Sequence, residues 1–223
     1  MYIEENLRKV EQDIPENVKL VIVSKTQSPE VIRKVYDAGH RVFGENKVQE
    51  LVAKQPELPE DIEWHFIGHL QRNKVRQIVP VTAMIQSIDS LRLLREVNKE
   101  AVNANRVIDC LLQFHIATEE SKFGLELKEA EEIVDSPIYE EMQNIRLCGV
   151  MGMATFTDDK KLITQEFSHL RSIFQKLENT YFSNDPAFRE ISMGMTGDYR
   201  LAIDQGSTIV RIGTAIFGPR NYV

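Results

Sequence analysis

Cysteine is almost missing from this chain: two in 223 residues, Cys110 and Cys148. Each falls in a short apolar run, 108–112 and 147–150, where a thiol behaves as a small buried hydrophobe. Two cysteines so far apart exclude a disulfide framework and a cysteine-based metal site, and they imply a reducing compartment. A surplus of positive charge is missing as well. Lys and Arg number 27 against 34 Asp and Glu, a net charge of −7. That leaves no electrostatic footprint for nucleic acid or an anionic membrane surface. Long apolar runs are absent: nothing approaches the roughly 20 residues of a membrane span. The N-terminus, Met1 to Val10, is charged and helix-like rather than an apolar leader. These absences predict a cytoplasmic protein. There is no internal repeat, no low-complexity tract and no linker; the polar stretches at 55–61 and 184–186 are too short to part domains. A single domain over 1–223 is therefore expected, long enough to bury roughly 70% of its extended surface.

What is present is alternation. Short β-branched runs at 19–24, 41–44, 63–68, 83–87, 108–115, 145–153, 189–193 and 208–212 read as strands. Charged segments with apolar residues three and four apart lie between them, most clearly Leu91-Leu94-Val97 and Phe167-Leu170-Phe174-Leu177. Eight strands with intervening helices imply parallel pairing and right-handed crossovers. A (β/α)8 TIM barrel fits, since such barrels need roughly 250 residues and short loops make up the difference. The competitor is a doubly wound open sheet, but the Rossmann glycine fingerprint is absent after the first strand.

Four segments carry groups suited to chemistry. Val21 to Thr26 ends an apolar strand on Lys25, and the carboxyl ends of barrel strands form the active face. A partly desolvated amine there is available for condensation with a carbonyl; the plainer alternative is a lysine reaching the rim or pairing with a carboxylate. Ile191 to Asp198 offers the Ser192 hydroxyl, two glycines and a helix start, either donors for an anion or a tight turn capped by Thr196 or Asp198. Val210 to Thr214 ends the last strand with Gly213 and a hydroxyl. Barrels often hold phosphate on the loops after strands seven and eight, which is where these two segments fall. Arg211 and Gly213 alternate onto one face, so a pyridine ring across the mouth would meet a guanidinium, a donor that disfavours protonating the ring nitrogen and argues against transaminase-like chemistry. Asn46 with Gln49 reads as a capping box, with the Asn46 amide also in reach of a ligand. His65 and His69 stand four apart, but across a strand and a loop and with no third ligand, so a metal is not expected. Gln71 to Lys74 reads as a loop able to meet an anion.

Val23-Ser24-Lys25-Thr26, Phe43-Gly44-Glu45-Asn46, Trp64 to Gln71, Ser192-Met193-Gly194-Met195 and Val210 to Thr214 together resemble the pyridoxal phosphate homeostasis protein family. The likeness runs in order from near residue 18 to the C-terminus. That family is similar to the barrel domain of bacterial alanine racemase, so the resemblance implies an alanine racemase N-terminal-domain-like barrel holding pyridoxal 5′-phosphate (PLP). By that resemblance Lys25 carries PLP as a Schiff base and Arg211 faces the pyridine nitrogen. Ser192, Met193, Gly194, Gly213 and Thr214 form the phosphate cradle, Asn46 sits beside the cofactor and Met151 lies under the ring. Lys122 is placed near it. One departure is Thr196, where a serine commonly follows the second methionine; the hydroxyl is kept.

A PLP racemase needs two bases on opposite faces of the substrate carbon. In alanine racemases the second is a tyrosine of a separate C-terminal β-domain, which this chain, ending at Val223, lacks. Tyr199 is the nearest substitute, but reads as an aromatic on the first turn of a surface helix. The expectation is a PLP carrier or regulator of vitamin B6 and amino-acid pools, without substantial alanine racemase activity. Candidate partners are PLP-dependent apo-enzymes, and the expected state is a monomer or weak homodimer. The alternatives are a PLP enzyme of narrow amino-acid specificity and a Schiff-base lyase of sugar phosphates.

Overall fold

The computed structural model describes residues 2–118 and 123–219. A first helix, α1 (Tyr2–Asp13), leads into eight strands: β1 (Lys19–Val23), β2 (Val42–Glu45), β3 (Glu63–Phe66), β4 (Met84–Ile88), β5 (Ile108–Phe114), β6 (Ile145–Gly152), β7 (Glu190–Ser192) and β8 (Ile209–Ile212). Between and after them come α2 (Pro29–Asp37), α3 (Val48–Lys54), α4 (Val75–Ile78), α5 (Leu91–Asn103), α6 (Leu127–Val134), α7 (Pro137–Glu140), α8 (Lys160–Tyr181), α9 (Tyr199–Asp204) and α10 (Thr214–Phe217). Each strand pairs in parallel with the next, and β8 closes on β1, with Lys19 opposite Ile209 and Ile22 opposite Ile212. The closed (β/α)8 barrel is the expected fold, and the open sheet is excluded.

Strand alternation separates two apolar layers. Val21, Met84, Leu111, Cys148, Met151 and Ile209 fill the inside of the barrel. Leu20, Ile22, Phe43, Trp64, Phe66, Ile85 and Ile212 point outward into the larger layer beneath the helices. The longest helix, α8, shows why these segments coil. Asp159 caps it by accepting from the amides of Lys161 and Leu162, and Ile163, Phe167, Leu170, Phe174 and Leu177 recur at helical spacing on its buried face. Each such side chain contributes about 1.5–3 kcal/mol by leaving water.

Two local expectations need correcting, and one irregularity was not foreseen. The third strand stops at Phe66 rather than running to 68, because Gly68 turns tightly against β2: a Cβ there would stand 2.1 Å from the Asn46 carbonyl oxygen. The Asn46–Gln49 capping box does not form. Lys47 is the N-cap of α3, which puts Glu50, not Gln49, at the third helical position, and the Glu50 carboxylate is occupied by the Thr26 amide and Lys54. The sixth strand is bulged: Cys110 faces Leu147, but Leu111 faces Gly149, so Cys148 is an extra residue. Gly149 has φ +147°, and a Cβ on it would lie 1.8 Å from the Glu190 carbonyl oxygen. Both cysteines are free and buried, as the sequence predicts.

Candidate functional site

A cavity of about 390 Å³ opens at the carboxyl ends of β1, β6, β7 and β8, within the roughly 300–1,000 Å³ usual for small-molecule sites. Lys25, half-buried one residue beyond Ser24 at the end of β1, lines it. The residues on either side of Lys25 are fastened down. Ser24 donates from its amide to the Gly44 carbonyl (3.0 Å) and from Oγ to Glu45 Oε1 (2.7 Å), while its carbonyl accepts from Lys54 Nζ (3.0 Å). The Thr26 amide donates to Glu50 Oε2 (2.6 Å), and Thr26 sits at φ +66°, a left-handed conformation that a non-glycine residue holds only when its surroundings over-determine it. Lys54 Nζ joins both carboxylates, at 2.7 Å from Glu45 Oε1 and 2.8 Å from Glu50 Oε2. Burial pushes the Glu45 carboxyl up against the pull of Lys54. Burial also opposes ionisation of Glu50, but bonds from Lys54 and the Thr26 amide outweigh it and hold that carboxyl below its usual range. A buried Glu–Lys–Glu cluster thus forms the base on which the lysine stands.

Arg211, on β8, faces the same cavity and is 3% exposed. Its Nη1 donates to Ser192 Oγ (2.6 Å) and its Nη2 to the Gly152 carbonyl (3.0 Å), both neutral acceptors. Among the described residues it has no ion-pair partner, and burial lowers its pKa to about 10. A buried guanidinium without a carboxylate is costly unless something polar meets it. The loops after β7 and β8 close the other wall. The Asp198 carboxylate accepts from the Met195 amide, and the Ala215 amide donates to Thr196 Oγ1 (3.4 Å), tying one loop to the other. Gly213 lets β8 pass close to β1, since a Cβ there would meet the Val23 carbonyl oxygen at 2.9 Å. On the opposite rim, the buried Glu166 of α8 accepts from the amides of Thr118 (3.1 Å) and Thr155 (2.7 Å), pinning the loops after β5 and β6.

Of the residues singled out from the sequence, Lys25, Arg211, Gly213 and Thr214 come together around the cavity. Ser192 lies one layer deeper, between Arg211 and Gln86. Met151, opposite Ser192 in the β6–β7 pairing, lies in the inner apolar cluster, and Met193 packs outward beneath the helices. Gly194 (φ +95°) turns the chain toward Met195, which does line the cavity; Asn46, one residue beyond β2, does not border it, and its Oδ1 is buried with no hydrogen-bond partner. Lys122 lies outside the described residues. Tyr199 is buried rather than on a surface, with its hydroxyl donating to Asp13 Oδ2 (3.0 Å), away from the cavity. His65 is buried inside the barrel and His69 stacks on Phe123 at 4.0 Å; no group of metal-binding side chains occurs among the described residues. Arg72–Lys74 form a turn that does not border this cavity. Sequence reasoning missed Met195, Glu166 and the Glu45–Lys54–Glu50 cluster. Only the four-residue spacing of Glu50 and Lys54 hinted at the last.

A lysine at the end of a barrel strand, facing a buried guanidinium and two tied anion-capable loops, defines a barrel built for an electrophilic, anionic small molecule. Comparison with known proteins narrows this. The family model for the alanine racemase N-terminal domain matches residues 2–221. The pyridoxal phosphate homeostasis protein of Aquifex aeolicus is 38% identical over 205 residues, covering 92% of this chain and 88% of that protein. The protein of that name from Pasteurella multocida is 38% identical over 240 aligned residues, covering 100% and 99%. Among solved structures, PipY of Synechococcus elongatus without PLP superposes with a TM-score of 0.90 at 33% identity, covering 97% of this chain and 100% of that one; the same protein with PLP bound gives 0.86. The chain belongs to the pyridoxal phosphate homeostasis protein family, within the alanine racemase N-terminal domain group.

Proposed function

We propose that this protein binds PLP at Lys25 and serves to hold and buffer the cofactor rather than to turn over amino acids. The observation that carries the reading is the pairing of Lys25 with Arg211 across one cavity, the latter a buried cation with only neutral partners. Thr196 and Thr214 bring hydroxyls, and Gly197 and Gly213 bring backbone, to the wall of the same cavity, which suits a phosphate. The residues present therefore fit the group. PLP, when bound, supplies an aldehyde that condenses with an amine and a ring that can delocalise charge.

The chain's own residues do the rest. Lys25 provides the amine, oriented by the anchored Ser24 and Thr26. Arg211 donates toward the ring nitrogen and, being a permanent cation, keeps a proton off it, which weakens the ring as an electron sink. Gly213, Thr214 and the 194–197 loop bind the phosphate, with Ser192 supporting from below through Arg211. No histidine, tyrosine or cysteine lines the cavity among the described residues, and Tyr199 is committed to Asp13. Two carboxylates do stand on the wall, but Asp198 is bound to the Met195 amide and Asp158 lies on the loop after β6. No tyrosine of the kind racemases use faces Lys25 among the described residues, which favours retention over racemisation. Loop-borne phenylalanine at the rim, Phe156 at 95% exposed, offers a contact for PLP-dependent apo-enzymes that receive the cofactor.

The test is a visible absorption spectrum with and without PLP. Wild type should gain a band that borohydride fixes as a mass addition on the Lys25 peptide, and Lys25→Ala should lose it. Wild type that cannot be loaded sinks the reading. Rapid interconversion of L- and D-alanine sinks the carrier half of it.

A further inference from the structure

A line of side-chain hydrogen bonds crosses the inside of the barrel from the lower rim to the cavity. It begins at Glu63, the first residue of β3, whose Oε1 lies 2.9 Å from His65 Nε2 and 3.3 Å from Lys19 Nζ. His65 Nδ1 is 2.9 Å from Gln86 Nε2 on β4. Gln86 Oε1 accepts from Ser192 Oγ on β7 at 2.7 Å, a contact made across the barrel, and Ser192 Oγ accepts from Arg211 Nη1. His65, Gln86, Ser192 and Arg211 are all buried, the first three completely.

The order of donors along this line is forced. A carboxylate only accepts, so His65 must carry its proton on Nε2 to meet Glu63. Burial disfavours a second proton on His65, leaving Nδ1 bare and in need of a donor. Only the amide nitrogen of Gln86 can supply one, which turns the Gln86 oxygen toward Ser192. The Ser192 proton then goes to that oxygen, and its lone pairs are left for Arg211. Reversing any one member would set the Gln86 amino group competing with Arg211 for the same hydroxyl.

We propose that His65 and Gln86 are positioning residues of the cofactor site, which hold the Arg211 guanidinium through Ser192 in the orientation it presents to the bound ring. The inference rests on the PLP reading above but extends it to residues that border no part of the cavity. A line with a merely structural role could end on any satisfied group. This one ends on a buried cation that no carboxylate bonds directly, Asp198 acting on it only from a distance, and whose plane is set by two neutral acceptors, Ser192 Oγ and the Gly152 carbonyl.

The experiment compares PLP-loaded wild type with Gln86→Met, His65→Phe and Gln86→Glu. Expected for the first two is a displaced visible band with a shifted pH midpoint, and PLP binding weakened about tenfold, the worth of one hydrogen bond. Gln86→Glu, protonated at this buried position, still accepts from Ser192 with one oxygen and donates to His65 Nδ1 from the other, so it should restore the wild-type band. Should the substituted proteins fail to fold, nitrogen-15 spectra of histidine-labelled wild type decide the matter: His65 should show a bare Nδ1 that shifts when PLP is added. Unchanged bands and affinities in folded variants, or a His65 signal indifferent to PLP, overturn the inference alone. Wild type that takes up no PLP overturns it together with the reading beneath it.

Discussion

Replacing Lys54 by methionine should destabilise the protein strongly at neutral pH and much less in mild acid. Among the described residues Lys54 Nζ is the cation paired with Glu45, through Oε1; the Glu45 side chain is fully buried and its Oε2 has no hydrogen-bond partner. Methionine keeps the length and the apolar stem but strands a carboxylate in the interior, and breaking a buried pair in this way costs about 3–5 kcal/mol. Against a typical stability of about 5–15 kcal/mol the variant stays folded, though marginally. The pH dependence follows from Glu45. Its folded pKa is raised by burial, and losing Lys54 removes the chief influence opposing that rise. An acid with a raised folded pKa binds its proton more readily when folded, so stability is lost as pH rises through the window above its unfolded value and recovered on acidification. One proton recovers at most about 1.4 kcal/mol per pH unit, so the deficit should shrink by up to about 2.7 kcal/mol between pH 7 and pH 5. Glu50 acts in the same direction. Its lowered pKa stabilises the wild type only above its unfolded value, and that advantage is lost as pH falls through the folded one. Urea unfolding of both proteins at the two pH values is the assay. A deficit below about 1 kcal/mol at pH 7, or one equal at both, would refute the reasoning.

Gly194→Ala should cost more than about 2 kcal/mol by urea unfolding, because φ +95° is strained for any L side chain and the new Cβ would sit 2.6 Å from that of Ala202. A smaller loss would mean that α9 can retreat. Glu166→Ala removes the acceptor of the Thr118 and Thr155 amides; a loss of about 1.5–3 kcal/mol and faster proteolytic nicking near residue 155 are expected, and unchanged nicking counts against the pin. Burial pushes both thiols up, that of Cys148 to about 12, so neither should react with a disulfide reagent at pH 8 until denaturant is added. Labelling of the native protein would show that the barrel interior opens.

The fold was legible because it repeats a simple signal. Six of the eight strands fall within the expected segments and β2 and β4 run one residue past theirs, and Lys25, Arg211 and Gly213 could be placed at one end of the barrel from strand order and alternation alone. What could not be read were features that depend on distant residues. The capping box at Asn46 looked sound locally, but the carboxylate at the position that counts was already bound by Thr26 and Lys54. Met193 and Met195 carry the same side chain two residues apart. A positive φ at Gly194 between them breaks the alternation and sends one to the core and the other to the cavity. Gln86 lies in an ordinary β-branched run, and only closure of the barrel sets it opposite Ser192.

The extra residue in β6 governs the phase of everything after it. Up to Cys148 the strand turns even-numbered side chains inward; from Val150 onward it turns odd-numbered ones inward, which is how Cys148 and Met151 share the inner cluster while Leu147 and Val150 share the outer one. The same half-turn aims the Gly152 carbonyl at Arg211. Deleting Gly149 would therefore not act as a frameshift: Leu147, Cys148, Val150 and Met151 would then alternate as in a plain strand and keep their faces. What the deletion would remove is the local bend, and with it the aim of the Gly152 carbonyl, one of the two acceptors that orient the buried guanidinium.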